Sequence, residues 1–587
     1  MTSFTFPATM PASTTVALSL SFRLPSSNKT PQSHTNHYRS YHKLNVKCKM
    51  NQPGELDRRD VLIGLGGLYT ASNLPQPALA DPVLAPDLTQ CGAADLPEGA
   101  NPVNCCPPSV RNKIVPFKLP PPTRLRIRPA SHLVDKKYVE KFERAVRLMK
   151  ALPSTDPRSF YQQANIHCAY CDGAYDQVNY PGLELQVHNS WLFFPWHRYY
   201  LYFFEKILGK LIDDPTFAMP FWNWDNPAGM PIPAIYSNPN SPLYDPLRDP
   251  LHQPPTLVNF NYDGTDPTST NEEQISDNLA LMYKQMISNG KKANSFLGEP
   301  YRAGSEADPG GGSIENSPHG PVHGWTGDRN QPNGENMGNF YSAGRDPIFM
   351  AHHSNIDRLW AVWNTLGGRR RNFTDTDWLN TSFAFYDENA QLVEVKVRDC
   401  LDEKRLGYTF QTVPNLWLGA RPKPTTRTTT LQSREIKIPT KTKTTTTTSE
   451  ATTPIVLDKK PVTVKVIRPK QKKRSKKEKE EEEEVLLIEG IELDKDSFVK
   501  FDVLVNDEDD GATFTGPNKA EFAGTFVNVP HLHKEGKKMK IKTCLRLGIT
   551  DLLEDLDVED DDSVLVTIVP KRVTTTVTIA SIKIVFE

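Results

Sequence analysis

Apolar residues recur at helical spacing in three long stretches, Tyr138 to Ala151, Glu273 to Asn289 and Asp346 to Leu366. This is the pattern of helices that bury one face. A different rhythm holds from Val485 to Glu587. There, apolar and polar positions alternate in short runs: Phe498 to Val503, Lys538 to Leu545, Ser563 to Val569 and Thr576 to Phe586. Period-two runs split by Asp- and Gly-rich turns predict an all-β sandwich. Between the two patterns, residues 411–484 are mostly Thr, Lys and Pro, then Glu. Such a stretch buries too little apolar surface to order itself and predicts a solvent-exposed linker, its charged end being either linker or charged helix. No run reaches 18 apolar residues, which excludes a polytopic membrane protein.

Length and charge refine this picture. A chain of 587 residues has room for roughly four domains at ~150 residues each. The pattern supplies two, a helical domain at 81–410 and a β domain at 485–587. Part of the excess length lies in residues 1–80, where no acid occurs before Glu55 and Ser, Thr, Arg and Lys abound, as in an organelle transit peptide. Arg58-Arg59, the apolar run Val61 to Leu68 and Ala78-Leu79-Ala80 then form a second, twin-arginine signal. Two signals in tandem predict import into a chloroplast and transfer to the thylakoid lumen. With 69 Lys and Arg against 70 Asp and Glu, the net charge is −1, so no global field draws the chain to nucleic acid or a membrane surface.

The candidate chemistry lies in the histidines. One group comprises His167, His188 and His197; another comprises His319 and His323 with the adjacent pair His352 and His353. His319 and His323 are one helical turn apart and share a face, provided Pro321 sits in the first turn. Successive helical residues point about 100° apart, so only one of His352 and His353 faces the same point. Asp357, one turn on from His353, stands where it could orient the site. His188 and His197 can meet only if the helix breaks between them. Pro195 supplies the break, with His197 in the first turn of a new helix and His188 on the loop before it. Each group thus offers three imidazoles, a donor set for Cu, Zn, Fe or Ni. No carboxylate stands at ligand spacing, which disfavours non-haem iron and a dinuclear zinc hydrolase. His132, His252, His352, His531 and His533 read as ordinary core or surface residues.

Both histidine motifs, together with Asp377-Trp378-Leu379, Lys500-Phe501-Asp502-Val503 and the double targeting signal, resemble the plant polyphenol oxidase family (catechol oxidase/tyrosinase, type-3 copper). The resemblance spans nearly the whole chain. It implies a mainly α catalytic domain, a four-helix bundle around two copper ions, plus a C-terminal all-β shielding domain. It further implies copper A on His167, His188 and His197, and copper B on His319, His323 and His353. Glu315 matches the family's water-orienting acid and Phe340 its aromatic gate. Cys171 matches the cysteine joined by a thioether to His188. The pairs Cys91–Cys106 and Cys105–Cys168 match its disulfides, in keeping with an oxidising compartment. Cys400 and Cys544 read as buried free thiols.

The implied reaction converts small-molecule o-diphenols to o-quinones with O2 as co-substrate, reduced to water. Hydroxylation of monophenols is linked in the family to an Asn after the first copper-B histidine; Gly320 stands there, and Gly324 after the second, so monophenolase activity is expected to be weak or absent. A further departure is Tyr408-Thr409-Phe410, where the family commonly closes its catalytic domain with Tyr-x-Tyr. The exposed, Lys-rich linker is a ready protease target, so an activating protease and a latent pro-enzyme are expected. The alternatives are a specialised plant phenol oxidase, such as an aurone synthase or phenol hydroxylase, and a hemocyanin-like oxygen carrier. Neither a nucleic acid partner nor an integral membrane span is expected.

Overall fold

A computed structural model describes residues 80–108, 113–119, 121, 124–423, 454–469, 474–507, 516–530 and 540–587. The targeting signals, as well as His531 and His533, lie outside the described residues. Six helices organise the first domain: α1 (Lys136–Ala151), α2 (Phe160–Cys171), α3 (Phe193–Leu211), α4 (Asn271–Tyr283), α5 (Gly320–Thr326) and α6 (Ile348–Trp363). Local chemistry sets their ends. The Asp135 side chain caps α1 by accepting from the Tyr138 N–H, and Phe142, Ala145, Val146 and Met149 form its buried stripe. Ser159 caps α2, and a Thr270–Glu273 capping box starts α4. Helix α3 is buried on nearly every side, so it is the centre of the domain rather than a surface helix. All nine tryptophans are buried, and a single apolar cluster spans the whole helical domain.

The stretch expected to be helical from Glu273 to Asn289 is α-helix only to Tyr283 and continues as a π-turn over Lys284–Ser288. The expected Asp346–Leu366 helix runs from Ile348 to Trp363, and the Asp346 carboxylate accepts from the Ile348 N–H at 2.9 Å. Two disulfides, Cys91–Cys106 and Cys105–Cys168, pin the chain before α1 to the end of α2. No helix among the described residues is long and apolar enough to cross a membrane.

The second domain is a sandwich with nine antiparallel strands among the described residues: β1 (Ile455–Leu457), β2 (Val462–Ile467), β3 (Glu484–Asp494), β4 (Val499–Val505), β5 (Phe522–Asn528), β6 (Lys540–Gly548), β7 (Ser563–Arg572), β8 (Val577–Ile579) and β9 (Ser581–Phe586). One sheet runs β6-β3-β8-β1 with β9 also on β3; the other runs β5-β4-β7-β2. Their inner faces enclose a separate apolar core of Leu, Ile, Val and Phe side chains.

The expected linker at 411–484 is corrected at both ends. Trp417 is fully buried, and its indole N–H donates to Asp225 at 2.9 Å, so the helical domain extends past 410. At the other end, β1 pairs with β8 and β2 with β7. In β2 the valines alternate inward, Val464 and Val466 buried around an exposed Lys465. The Thr- and Lys-rich average concealed this period-two signal. Lys476–Glu481 is a short charged helix closed by a Ser475–Glu478 capping box. Residues 424–453 and 470–473 of the stretch lie outside the described residues.

Candidate metal centre

Four helices carry the histidines to one point. Helix α2 brings His167 and α3 brings His197, with Pro195 in the first turn of α3 and His188 on the loop before it. Helix α5 holds Pro321 at its start, His319 just before it and His323 inside, and α6 holds His352 and His353. The ligand-capable atoms of His167, His188 and His197 lie within 4.8 Å of one another, and so do those of His319, His323, His352 and His353. The two groups abut, with the rings of His197 and His353 stacked at 4.1 Å. All seven imidazoles are at most 2% exposed.

Five of the rings are aimed by a partner on Nδ1. Nδ1 of His167 donates to the Phe340 carbonyl at 2.9 Å, His197 to Phe193 at 2.8 Å, His319 to Glu315 at 3.1 Å and His323 to Met337 at 2.7 Å. Nδ1 of His188 faces the Gln186 side-chain oxygen at 3.3 Å. With Nδ1 donating, the lone pair rests on Nε2. Among the described residues, the Nε2 atoms of His167, His188, His197, His319 and His352 are buried with no hydrogen-bond partner, while those of His323 and His353 face each other at 3.2 Å. Burial pushes the pKa of His167 down to about 3 and that of His323 to about 4, and drives the other five well below the ordinary range. These are neutral imidazoles with converging lone pairs, a donor set that fits a pair of metal ions.

His352, which the sequence leaves among ordinary residues, lies inside the second group. Its Nδ1 accepts from the Trp224 indole N–H at 3.1 Å. Indole nitrogen only donates, so in neutral His352 the proton sits on Nε2 and no lone pair points inward. Nothing in the spacing of the pair reveals Trp224, 128 residues away.

Around the rings, Phe340 stacks on His188 at 4.2 Å. Glu315 is 5% exposed; one carboxylate oxygen accepts from the Asn189 backbone N–H at 2.7 Å. Burial raises its pKa well above the ordinary value, against the pull of the Asn189 and Gly312 N–H groups. Cys171 and Cys400 are buried free thiols, whereas Cys544 is only partly buried. Asp357 departs from expectation, because it binds no imidazole. It accepts from Arg198 at 2.5 Å, Arg128 at 2.9 Å and the Tyr408 hydroxyl at 2.6 Å. It therefore ties α6 to α3, one residue from His197, and to the strand carrying Tyr408.

The sandwich closes over this centre. Val529, just beyond β5, joins the apolar cluster of the helical domain. Methyl groups of Val527 and Val529 lie 3.3 Å from where a side chain on Gly320 would begin, and the Phe498 ring lies 3.3 Å from the same point on Gly324. The space beside Gly320 and Gly324, which follow His319 and His323, is filled by the second domain.

Comparison with known proteins agrees with this geometry. Residues 157–366 match the common central domain of tyrosinase, 372–423 the polyphenol oxidase middle domain and 453–586 the chloroplastic polyphenol oxidase C-terminal domain. The chain is 59% identical to the chloroplastic polyphenol oxidase of Malus domestica, over 88% of this chain and 87% of that one. The chain belongs to the plant polyphenol oxidase family. It is 52% identical to aureusidin synthase of Antirrhinum majus over 93% of this chain and 98% of that protein. The structure of latent apple tyrosinase superposes with a TM-score of 0.73 at 60% identity, covering 81% of this chain and all of that one. Catechol oxidation is the reaction of this polyphenol oxidase family, and this chain has its helical and β domains together. The last match begins at residue 453, where the described strands place the start of the β domain.

Proposed function

We propose that the protein is a latent, plastid-located catechol oxidase of the thylakoid lumen, converting o-diphenols to o-quinones with O2 as co-substrate. The observation that carries this reading is the convergence of buried imidazole nitrogens from two abutting histidine groups. His167, His188 and His197 would hold one copper; His319, His323 and His353 would hold the other. His352 is left out because Trp224 occupies its Nδ1. Two coppers there supply the two-electron exchange between diphenol and O2. The protein side keeps the imidazoles neutral, excludes bulk water by burial and places Phe340 against His188 at the entrance. Glu315, whose burial favours the protonated acid, can hold or hand over a proton beside His319. Cys171 is assigned to a thioether with His188, which would lock that ring. With glycine at both 320 and 324, no side chain there assists deprotonation of a monophenol.

Latency is supported by Val527, Val529 and Phe498 standing against α5, and activation is assigned to a protease cutting within 424–453. The deciding experiment counts copper in the full-length protein and in the cut form, and assays each with a catechol and its monophenol. Two coppers per chain and strong diphenol turnover only after cutting are expected. One copper or fewer, or equal initial rates on both substrates without a lag, contradicts the reading. A specialised phenol oxidase is the second reading, favoured by the 52% identity to aureusidin synthase, and a substrate panel separates the two.

A further inference from the structure

Where the sandwich meets the helical domain, a chain of polar contacts runs inward from its surface. Lys495, just after β3, places its ammonium 2.8 Å from Glu184 and 3.4 Å from one oxygen of Asp308. The other Asp308 oxygen accepts from the Asn189 side-chain amide at 3.0 Å. Asn189 follows His188 directly, and its backbone N–H is the donor that holds Glu315. Asp308 is 1% exposed and Lys495 5%. Asn189 and Asp308 both adopt left-handed backbone, φ 52° and 61°, a conformation that these two residue types tolerate better than other side chains. Beside this chain, the Cys544 thiol of β6 reaches the Pro309 carbonyl at 3.4 Å.

We propose that Asp308 is a positioning residue for the histidine centre and the point through which the docked sandwich reaches it. Asp308 holds the Asn189 side chain; the Asn189 backbone then holds one oxygen of Glu315 and leaves the other without a hydrogen-bond partner among the described residues. While the sandwich is docked, Lys495 stands between Glu184 and Asp308 and its charge offsets both. When the sandwich departs, the half-buried Glu184 and the buried Asp308 lose the cation they share, and the hold of Asp308 on Asn189 is reset. Cutting the chain therefore does more than open an entrance: it retunes the residues that carry His188 and Glu315. This rests on the reading of Glu315 as the acid beside copper B.

Two measurements test it separately. In the metal-free, full-length protein, Cys544 reports docking, because its thiol is covered by the Pro309–Gly310 backbone. Lys495→Met should let a maleimide label Cys544, located by peptide mapping, about tenfold faster than in wild type. An unchanged rate overturns the docking role, whatever copper does. In the cut enzyme, where Lys495 is gone, Asp308→Asn should lower kcat on a catechol about tenfold with KM unchanged. Asn189→Gly keeps the left-handed backbone and its N–H but removes the amide, and should give the same split. Wild-type kcat in both cut variants overturns the positioning role. The expected rise in labelling for Lys495→Met, together with a copper-free wild type, would instead count against the copper reading alone.

Discussion

Replacing Asp357 by Asn discriminates between an acid that orients a metal ligand and one that cements the fold. Asp357 is 3% exposed and is the carboxylate facing Arg198, which is fully buried, stacks 3.8 Å from Trp360 and otherwise donates to backbone carbonyls. Arg128 keeps Glu205 at 2.8 Å when Asp357 is neutralised, so Arg198 is the cation that loses its salt bridge. Removing one partner of a buried ion pair costs about 3–5 kcal/mol, because the remaining charge stays desolvated. Asn still accepts one hydrogen bond, which puts the variant near the lower end, ~3 kcal/mol. At ~2.1 cal/mol/K of unfolding entropy per residue, a domain of more than about 300 residues shifts by about 1.5 °C per kcal/mol, so the melting temperature should fall by about 4–5 °C. Scanning calorimetry of the variant gives the shift, and catechol turnover well below the melting range shows whether the site survives. We expect kcat within about threefold of wild type, since the Asp357 carboxylate touches no imidazole. A melting temperature lowered by less than ~2 °C, with kcat down a hundredfold, would refute the structural assignment and return Asp357 to the metal site.

Further outcomes are open to measurement. The histidine pKa values, about 3 for His167 and about 4 for His323, lie below the ordinary 6.5. Between these limits the unfolded chain binds protons that the folded chain refuses, so each such histidine removes ~1.4 kcal/mol of stability per pH unit as pH falls below about 6.5. Calorimetry of metal-free protein at pH 7.5 and 5.5 should show a lower melting temperature in acid; an increase would contradict burial of neutral rings. Val529→Asp would drive a carboxylate into the apolar cluster of the helical domain, and uncut enzyme should gain about tenfold in catechol turnover as the sandwich lifts. Equal latency in variant and wild type would remove Val529 from the plug. Intact mass under denaturing conditions tests the thioether: wild type should be two hydrogens lighter than its disulfides alone explain, and Cys171→Ser should abolish the deficit.

Much of the site was legible because it is built from local signals. Pro195 marks the break that frees His188 from the helix of His197, and Pro321 marks the start of α5; both operate within a single turn. Strands β4, β6, β7, β8 and β9 announced themselves by alternation; β3 and β5 lay outside the alternating runs, and β1 and β2 hid their few valines among Thr and Lys. The role of Asp357 was misread because the residue one turn ahead of it on the helix is a histidine, whereas its partners come from elsewhere, Arg198 and Arg128 at separations of 159 and 229 residues. Phe498, Val527 and Val529 carry no motif that marks them as a plug. They become one only when β4 and β5 are placed over α5.

The sequence by itself determined the donor chemistry, six imidazoles in two groups at helix-compatible spacings, and the two secondary-structure regimes that make a helical and a β domain. These follow from covalent order and from forces acting within a few residues. The tertiary structure alone decided which of His352 and His353 presents a lone pair, where Asp357 spends its charge, and how Lys495 reaches Asp308. Each of those depends on a partner more than a hundred residues away along the chain, and only packing, not chain connectivity, sets the distance between them.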